Sequence, residues 1–365
     1  MTFIVLFLLT LASLSIFIFI PYWTRRTESF GVSIPESLYE RKDLAKMRKQ
    51  YAISMSLIGL ILLIIFLSIY IFMEVSETGL AILVTTLVII YLFASFITYL
   101  VFHFKMKKLK AKEDWQNKRI QKTLVYTKFR DEKLTISNWW YIIPFVATLS
   151  IALLTLFKYD QLPNEIPINY NLAGEVTNWR TKSYGTVLMM PALQLFLIAT
   201  FLFINIIIAR AKQQVSSENP EKSIQQNVIF RRRWSIFLFI SSIVMIAMFI
   251  LFQIDSYFLK MNKVVMLILP MMVSFGMLIG ALILSVTTGQ GGSRVKLPEN
   301  KDESVIDYDD DDYWKLGQFY FNKEDPAVFI EKRFGIGWTM NFARPLGWIF
   351  LISVIAIPLI IAIAL

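Results

Sequence analysis

Eight stretches of this chain, at about 3–22, 51–73, 79–103, 138–157, 185–209, 233–252, 264–287 and 345–364, are almost unbroken runs of apolar residues. A bilayer core needs roughly 20 such residues in a helix to cross it. No backbone polar group can stay unpaired in lipid, so a run of this kind has helix as its conformation. With 56% hydrophobic and 18% charged residues and a mean hydropathy of +0.56, the expected fold is an all-α polytopic membrane protein of about eight transmembrane helices. The first run has no basic residue ahead of it and is followed by Arg25 and Arg26. That is the reverse of a cleavable secretory leader, so a retained first helix with its N-terminus outside is expected.

The loops test this count. Cytoplasmic loops collect Lys and Arg, and 32 of the 37 basic residues fall in 23–50, 104–137, 210–232 with the adjoining Arg233, and 288–344. Only five fall in 74–78, 158–184 and 253–263. A miscounted helix would scramble that split, so the four basic loops are expected in the cytosol and both termini outside. The net charge of +10 sits beside helix ends, where orientation and anionic headgroups account for it. No zinc-finger or RNA-recognition signature accompanies it, and no nucleic-acid partner is expected. The bilayer is the first expected partner.

Composition also removes much chemistry. With no Cys there is no thiol nucleophile, disulfide or Cys-ligated metal, and His103 as the single His rules out multi-histidine sites. None of the apolar runs carries Asp, Glu, Lys or Arg well inside it, which disfavours a proton relay. HExxH and GxSxG patterns are missing. No enzyme activity and no cofactor is expected.

The chain divides into 1–137, with three helices and basic loops; 138–210, a loop-plus-helix segment; 211–287, with two helices; 288–344, a cytosolic linker and aromatic module; and 345–365, the last helix. Within 158–184, Pro163 and Pro167 fix extended backbone, while Asn169, Asn171 and Gly174 form turns. Glu175 and Lys182 add charge, and Tyr170 and Trp179 are expected at the outer interface. Ordered loops on rigid scaffolds tend to carry binding, which makes this loop a candidate recognition surface.

The second candidate is 311–344, where alternating β-formers and turn residues predict two or three short strands. Its marked residues are Trp314, Gly317, Phe319, Asp325, Pro326, Gly335, Gly337, Trp338 and Asn341. The aspartates at 307 and 309–312 lack the spacing of a calcium loop and read as a solvated run answering the basic loops. Gly289, Gly291 and Gly292 lack the Lys-Ser/Thr of a phosphate loop and read as a flexible linker. His103 reads as an ordinary headgroup-level residue.

The string carried by Leu162, Pro163, Ile166, Pro167, Asn171, Gly174, Glu175, Trp179 and Lys182 looks like the loop-plus-helix domain shared by SdpI-type toxin-immunity proteins, over roughly 140–210. In that family the position of Asn169 is usually His, so any titration or metal role of that histidine does not carry over. The stretch at about 311–344 resembles a C-terminal module of unknown function that recurs in Firmicutes membrane proteins. These resemblances imply a Gram-positive cell-membrane protein, non-enzymatic, with an immunity or sensing role. The outer loop would meet an extracellular peptide and the inner module a cytosolic regulator or membrane partner. The alternative expectation is a transporter or accessory permease subunit without an intramembrane charge relay.

Overall fold

Long apolar runs become long helices. In the computed structural model, which describes residues 2–113, 115, 120–122, 132–170, 175–259, 263–298 and 305–364, these are α1 (Thr2–Trp23), α2 (Lys42–Phe72), α3 (Glu77–Glu113), α4 (Ile142–Phe157), α5 (Tyr184–Arg210), α6 (Pro220–Ile254), α7 (Lys263–Thr288) and α8 (Pro345–Ala364). Seven, α2 to α8, are long and apolar enough among the described residues to cross a membrane, and Leu14–Trp23 of α1 is a shorter apolar helical stretch. The chain is an all-α polytopic membrane protein with small β-hairpins. Its lipid-facing character shows in side chains such as Phe93, 67% exposed, and Ile355, 60% exposed, which water alone would not tolerate over so large a surface.

Among the described residues there are ten short strands: β1 (Glu28–Ser29), β2 (Val32–Ser33), β3 (Ile120–Lys122), β4 (Glu165–Tyr170), β5 (Val176–Thr181), β6 (Val305–Asp307), β7 (Trp314–Lys315), β8 (Phe319–Tyr320), β9 (Phe329–Glu331) and β10 (Trp338–Met340). They form four antiparallel pairs in which consecutive strands meet, and one parallel pair, β3 with β6. The 311–344 stretch thus holds four strands, β7 to β10, where two or three were expected. Its turn-rich sequence cuts them to two or three residues each.

The chain forms two compact units. One comprises Met1–Glu132, Ala211–Phe230 and Leu284–Arg344; the other comprises Lys133–Arg210, Arg231–Ile283 and Pro345–Leu365. The first unit gathers segments of all four basic loops. In it the Tyr91 hydroxyl donates to the Leu14 carbonyl at 2.9 Å, tying α3 to α1. In the second unit, Asn205 of α5 donates to the Ile136 carbonyl at 3.2 Å and to Asn138 Oδ1 at 2.9 Å, and accepts from Ser235 at 2.5 Å. Ser235 Oγ in turn accepts the Ile136 amide at 2.9 Å. Polar groups in lipid need partners of this kind, and this network fixes the entry to α4.

Candidate functional site

Two polar constructions emerge, one in each unit. The first unit is built around two tight turns. Phe30 and Gly31, with φ of 48° and 75°, close the β1–β2 hairpin, and Leu316 and Gly317, with φ of 52° and 69°, turn the chain between β7 and β8. A left-handed Phe or Leu is costly. The Phe30 ring repays that strain by packing on Phe102, Phe334 and Tyr51 at centroid distances of 5.2, 6.0 and 5.7 Å. The two turns press against each other, and α3 staples them. Tyr99 Oη donates to the Leu316 carbonyl at 2.8 Å and lies 3.3 Å from the Phe30 carbonyl, while His103 Nδ1 donates to the Phe30 carbonyl at 2.8 Å. His103 is therefore a buried structural donor.

Beside the turns lies a buried ionic network. Arg333, 2% exposed, pairs with both Asp310 and Asp311, donates to the Gly31 carbonyl at 3.3 Å and stands 5.0 Å over the Trp314 ring. Lys110 of α3 bridges Asp309 at 2.9 Å and Asp311 at 2.7 Å. Arg25 pairs with Glu331, whose other oxygen accepts from Asn227 at 2.8 Å. Asp309 to Asp311 are thus paired and partly buried, while Asp312 is exposed. The paired carboxylates are drawn in by cations from distant parts of the chain, which a local reading of the sequence cannot see. Burial alone would push Asp311 up, but Arg333 and Lys110 hold it below the usual carboxylate range. Burial raises Asp307, which accepts the Ser217 amide at 2.5 Å.

The glycine segment after α7 is likewise packed and not a loose linker, up to residue 298. Gln290, fully buried, donates to the Gly337 carbonyl at 3.0 Å and accepts its amide at 2.7 Å. A side chain on Gly292, at φ of 81°, would meet the Gln226 carbonyl oxygen at 2.1 Å. Only glycine fits there.

Of the other marked residues in this module, Asp325 accepts from Lys212 at 2.5 Å, the Tyr320 hydroxyl at 2.7 Å and the Ala327 amide at 2.9 Å. Burial pushes this carboxyl up, yet these donors hold it low. Asn341, fully buried, donates to the carbonyls of Asn322, Asp325 and Ala327 and accepts the Asn322 and Ala343 amides. Trp338 packs on Phe230 at 5.1 Å, Phe319 on Phe342 at 5.4 Å, and Trp314 on Tyr320 at 5.1 Å. Gly335 and Gly337 take φ of 94° and 105°, and Pro326 is exposed.

Sequence reasoning missed Phe30, Gly31, Tyr99, Arg333 and Glu28. For the first two a signal existed, a Phe-Gly pair flanked by short hairpin-forming residues; for Glu28 there was none. Glu28 is 7% exposed, its Oε2 has no partner, and Arg333 Nε lies 4.0 Å from Oε1. Burial raises it from 4.5 to about 8, with Arg25 and Arg333 opposing. A carboxyl raised in the folded state holds its proton more tightly there than when unfolded, so its contribution to stability falls as pH rises from about 5 to 8. Glu28→Gln is therefore expected to be more stable than wild type at pH 8.5 by about 1–3 kcal/mol and nearly neutral at pH 5, read as thermal unfolding in detergent. A variant less stable than wild type at both pH values would show Glu28 to be a charged partner of Arg333.

The second unit carries the outer-loop candidate, which folds as the β4–β5 hairpin. Pro167 pairs with Trp179 and Asn169 with Asn178, with a bulge between. Its base is fixed by a cluster of Leu162, Ile166, Val187 and Tyr257. Lys182 turns inward, donating to the Leu162 carbonyl at 3.1 Å with its ammonium 5.3 Å from the Tyr159 ring centroid. Trp179 is 51% exposed and Tyr170 40%; Pro163, Asn169 and Glu175 are also exposed. Asn171 and Gly174 lie outside the described residues. Deeper in this unit, Gln194 donates to Gln253 and Gln253 to Thr155, each at 3.4 Å. All three side chains are buried, and Gln194 Oε1 has no partner.

Two stretches match known sequence families. Residues 146–195 match DUF1648, a domain of unknown function, and residues 323–348 match DUF5808, a family of unknown function. The first falls inside the 140–210 stretch whose motif stood out in the sequence, and the second overlaps the 311–344 stretch and runs on into α8. No curated protein and no solved structure matches the chain. The chain is a multi-pass membrane protein carrying two domains of unknown function.

Proposed function

We propose that this chain is a non-enzymatic membrane protein that recognises an extracellular peptide, in an immunity or sensing role of the SdpI type, in the cell membrane of a Gram-positive bacterium with both termini outside. The observation that carries the reading is the β4–β5 hairpin. It is a two-stranded sheet, so each strand has a ladder edge that a peptide can join as a further strand, and it presents exposed Trp179 beside Pro167 while its base is packed. Exposed aromatics on a rigid frame are what peptide-binding surfaces concentrate.

The test is growth of a strain lacking the gene against secreted antimicrobial peptides. At least one peptide is expected to inhibit it at about tenfold lower concentration than the parent. Wild type restores resistance and Trp179→Ala does not, although it inserts normally. Full protection by Trp179→Ala would remove the hairpin from the mechanism. A second reading, a transporter or permease subunit, is favoured by the Gln194–Gln253–Thr155 chain, since buried polar groups in spans mark pathways. Loss of protection with Gln194→Leu while Trp179→Ala stays active would select it.

A further inference from the structure

A cleft of about 710 Å³ opens in the first unit at the ends of α1 and α7 and the start of α2. Five basic residues line it, Arg26, Arg48, Lys222, Arg294 and Lys296, against a single carboxylate, Glu40. Lys222 reaches outward to Glu36 at 3.5 Å. Arg294 is held by the Tyr22 carbonyl, at 3.3 Å from Nε and 3.2 Å from Nη2, and by the Val286 carbonyl at 3.2 Å from Nη1.

The decisive group is Arg48. It is 5% exposed, its Nη2 donates to the Tyr39 carbonyl at 2.9 Å, and its guanidinium lies 4.0 Å from the Tyr39 ring centroid. Nη1 is buried with no partner. A buried guanidinium N–H without an acceptor is costly, so an anion is the complement this wall lacks. Arg26 leans over the same ring at 5.8 Å, adding a second cation beside it.

Position indicates which anion. Tyr22 ends the apolar part of α1, and Val286 and Thr287 stand in the last turn of α7, so the cleft lies where spans give way to polar chain. That is the level of lipid headgroups, and its walls mix cations with Tyr22, Ala45, Val286 and Leu297. The geometry points to a binding site for the phosphate of an anionic phospholipid headgroup, at the cleft wall that Arg48 and Arg26 line. Arginine suits phosphate because its fork of donors matches the oxygen geometry. The site is independent of the peptide-binding proposal, since it lies in the other unit.

The experiment uses the full chain purified in detergent and titrated with phosphatidylglycerol or phosphatidylcholine, with bound lipid counted by native mass spectrometry. Wild type is expected to bind phosphatidylglycerol at least tenfold more tightly than phosphatidylcholine. Arg48→Gln and Arg26→Gln are each expected to weaken it about fivefold. Because Arg48→Gln could unfold the protein, Lys296→Gln, at an exposed position, serves as the second variant with the same expected sense. Equal affinity for the two lipids, or an unchanged preference in the Arg26 and Lys296 variants, overturns the proposal. Displacement of the lipid by millimolar inorganic phosphate would also overturn it, and would show a soluble phosphate to be the occupant.

Discussion

Replacing Arg333 by alanine is expected to cost about 3–5 kcal/mol and to release the module before α8. The guanidinium is 2% exposed and is the common partner of Asp310, Asp311 and, more distantly, Glu28. Removing it leaves carboxylates partly buried without their main counter-charge, the circumstance in which breaking a buried pair is most damaging. Thermal unfolding in detergent and trypsin cleavage within 313–344 are the readouts. Arg333→Lys should recover only part of the loss, because a single ammonium cannot face Asp310 and Asp311 at once while lying over Trp314. A combined Arg333→Met, Asp310→Asn, Asp311→Asn variant should be more stable than Arg333→Ala alone, since removing the whole cluster leaves no orphaned charge. An Arg333→Ala protein within about 1 kcal/mol of wild type would mean that water already screens this network.

The second large effect is expected at Gly31. A Cβ there would stand 2.4 Å from Tyr99 Oη and 2.5 Å from the Gly317 carbonyl oxygen, at a φ of 75°. Strain and overlap together are expected to cost Gly31→Ala about 3 kcal/mol or more. Adding Tyr99→Phe relieves only the first contact, and it leaves the Leu316 carbonyl without the hydroxyl that donates to it. The double variant is therefore expected to be no more stable than Gly31→Ala. Recovery in the double variant would show that the two turns can separate, with the hydroxyl as the one real obstacle. Gly317→Ala should behave similarly, since its Cβ would lie 2.5 Å from Tyr99 Oη and 2.7 Å from His103 Nδ1.

The spans were legible because an apolar run of 20 residues has one conformation available in lipid. Strand content near 314–340 was legible in kind, since Trp314, Phe319 and Trp338 sit among turn residues. What stayed hidden was pairing. Nothing local to Asp309–Asp312 announces that Lys110 and Arg333 will neutralise them, and nothing near Arg25 points to Glu331. Likewise Asn341 was marked without a role, yet it is the buried knot of its module, because side-chain amides satisfy whichever backbone groups the fold brings to them. The outer hairpin was half legible: Pro163 and Pro167 indicated extended chain, while the pairing of Pro167 with Trp179 needed the register.

The ion pair between Arg25 and Glu331 joins residues 306 positions apart, and that separation has a biogenetic consequence. Arg25 is made early in translation, but its partner leaves the ribosome only after α2 to α7 have been made. Until then Arg25 and Lys110 stand without the carboxylates that later pair with them. A chain truncated before the aspartates at 307–312 would therefore display this uncompensated charge, a recognisable mark by which quality-control proteases can tell an unfinished protein from a mature one.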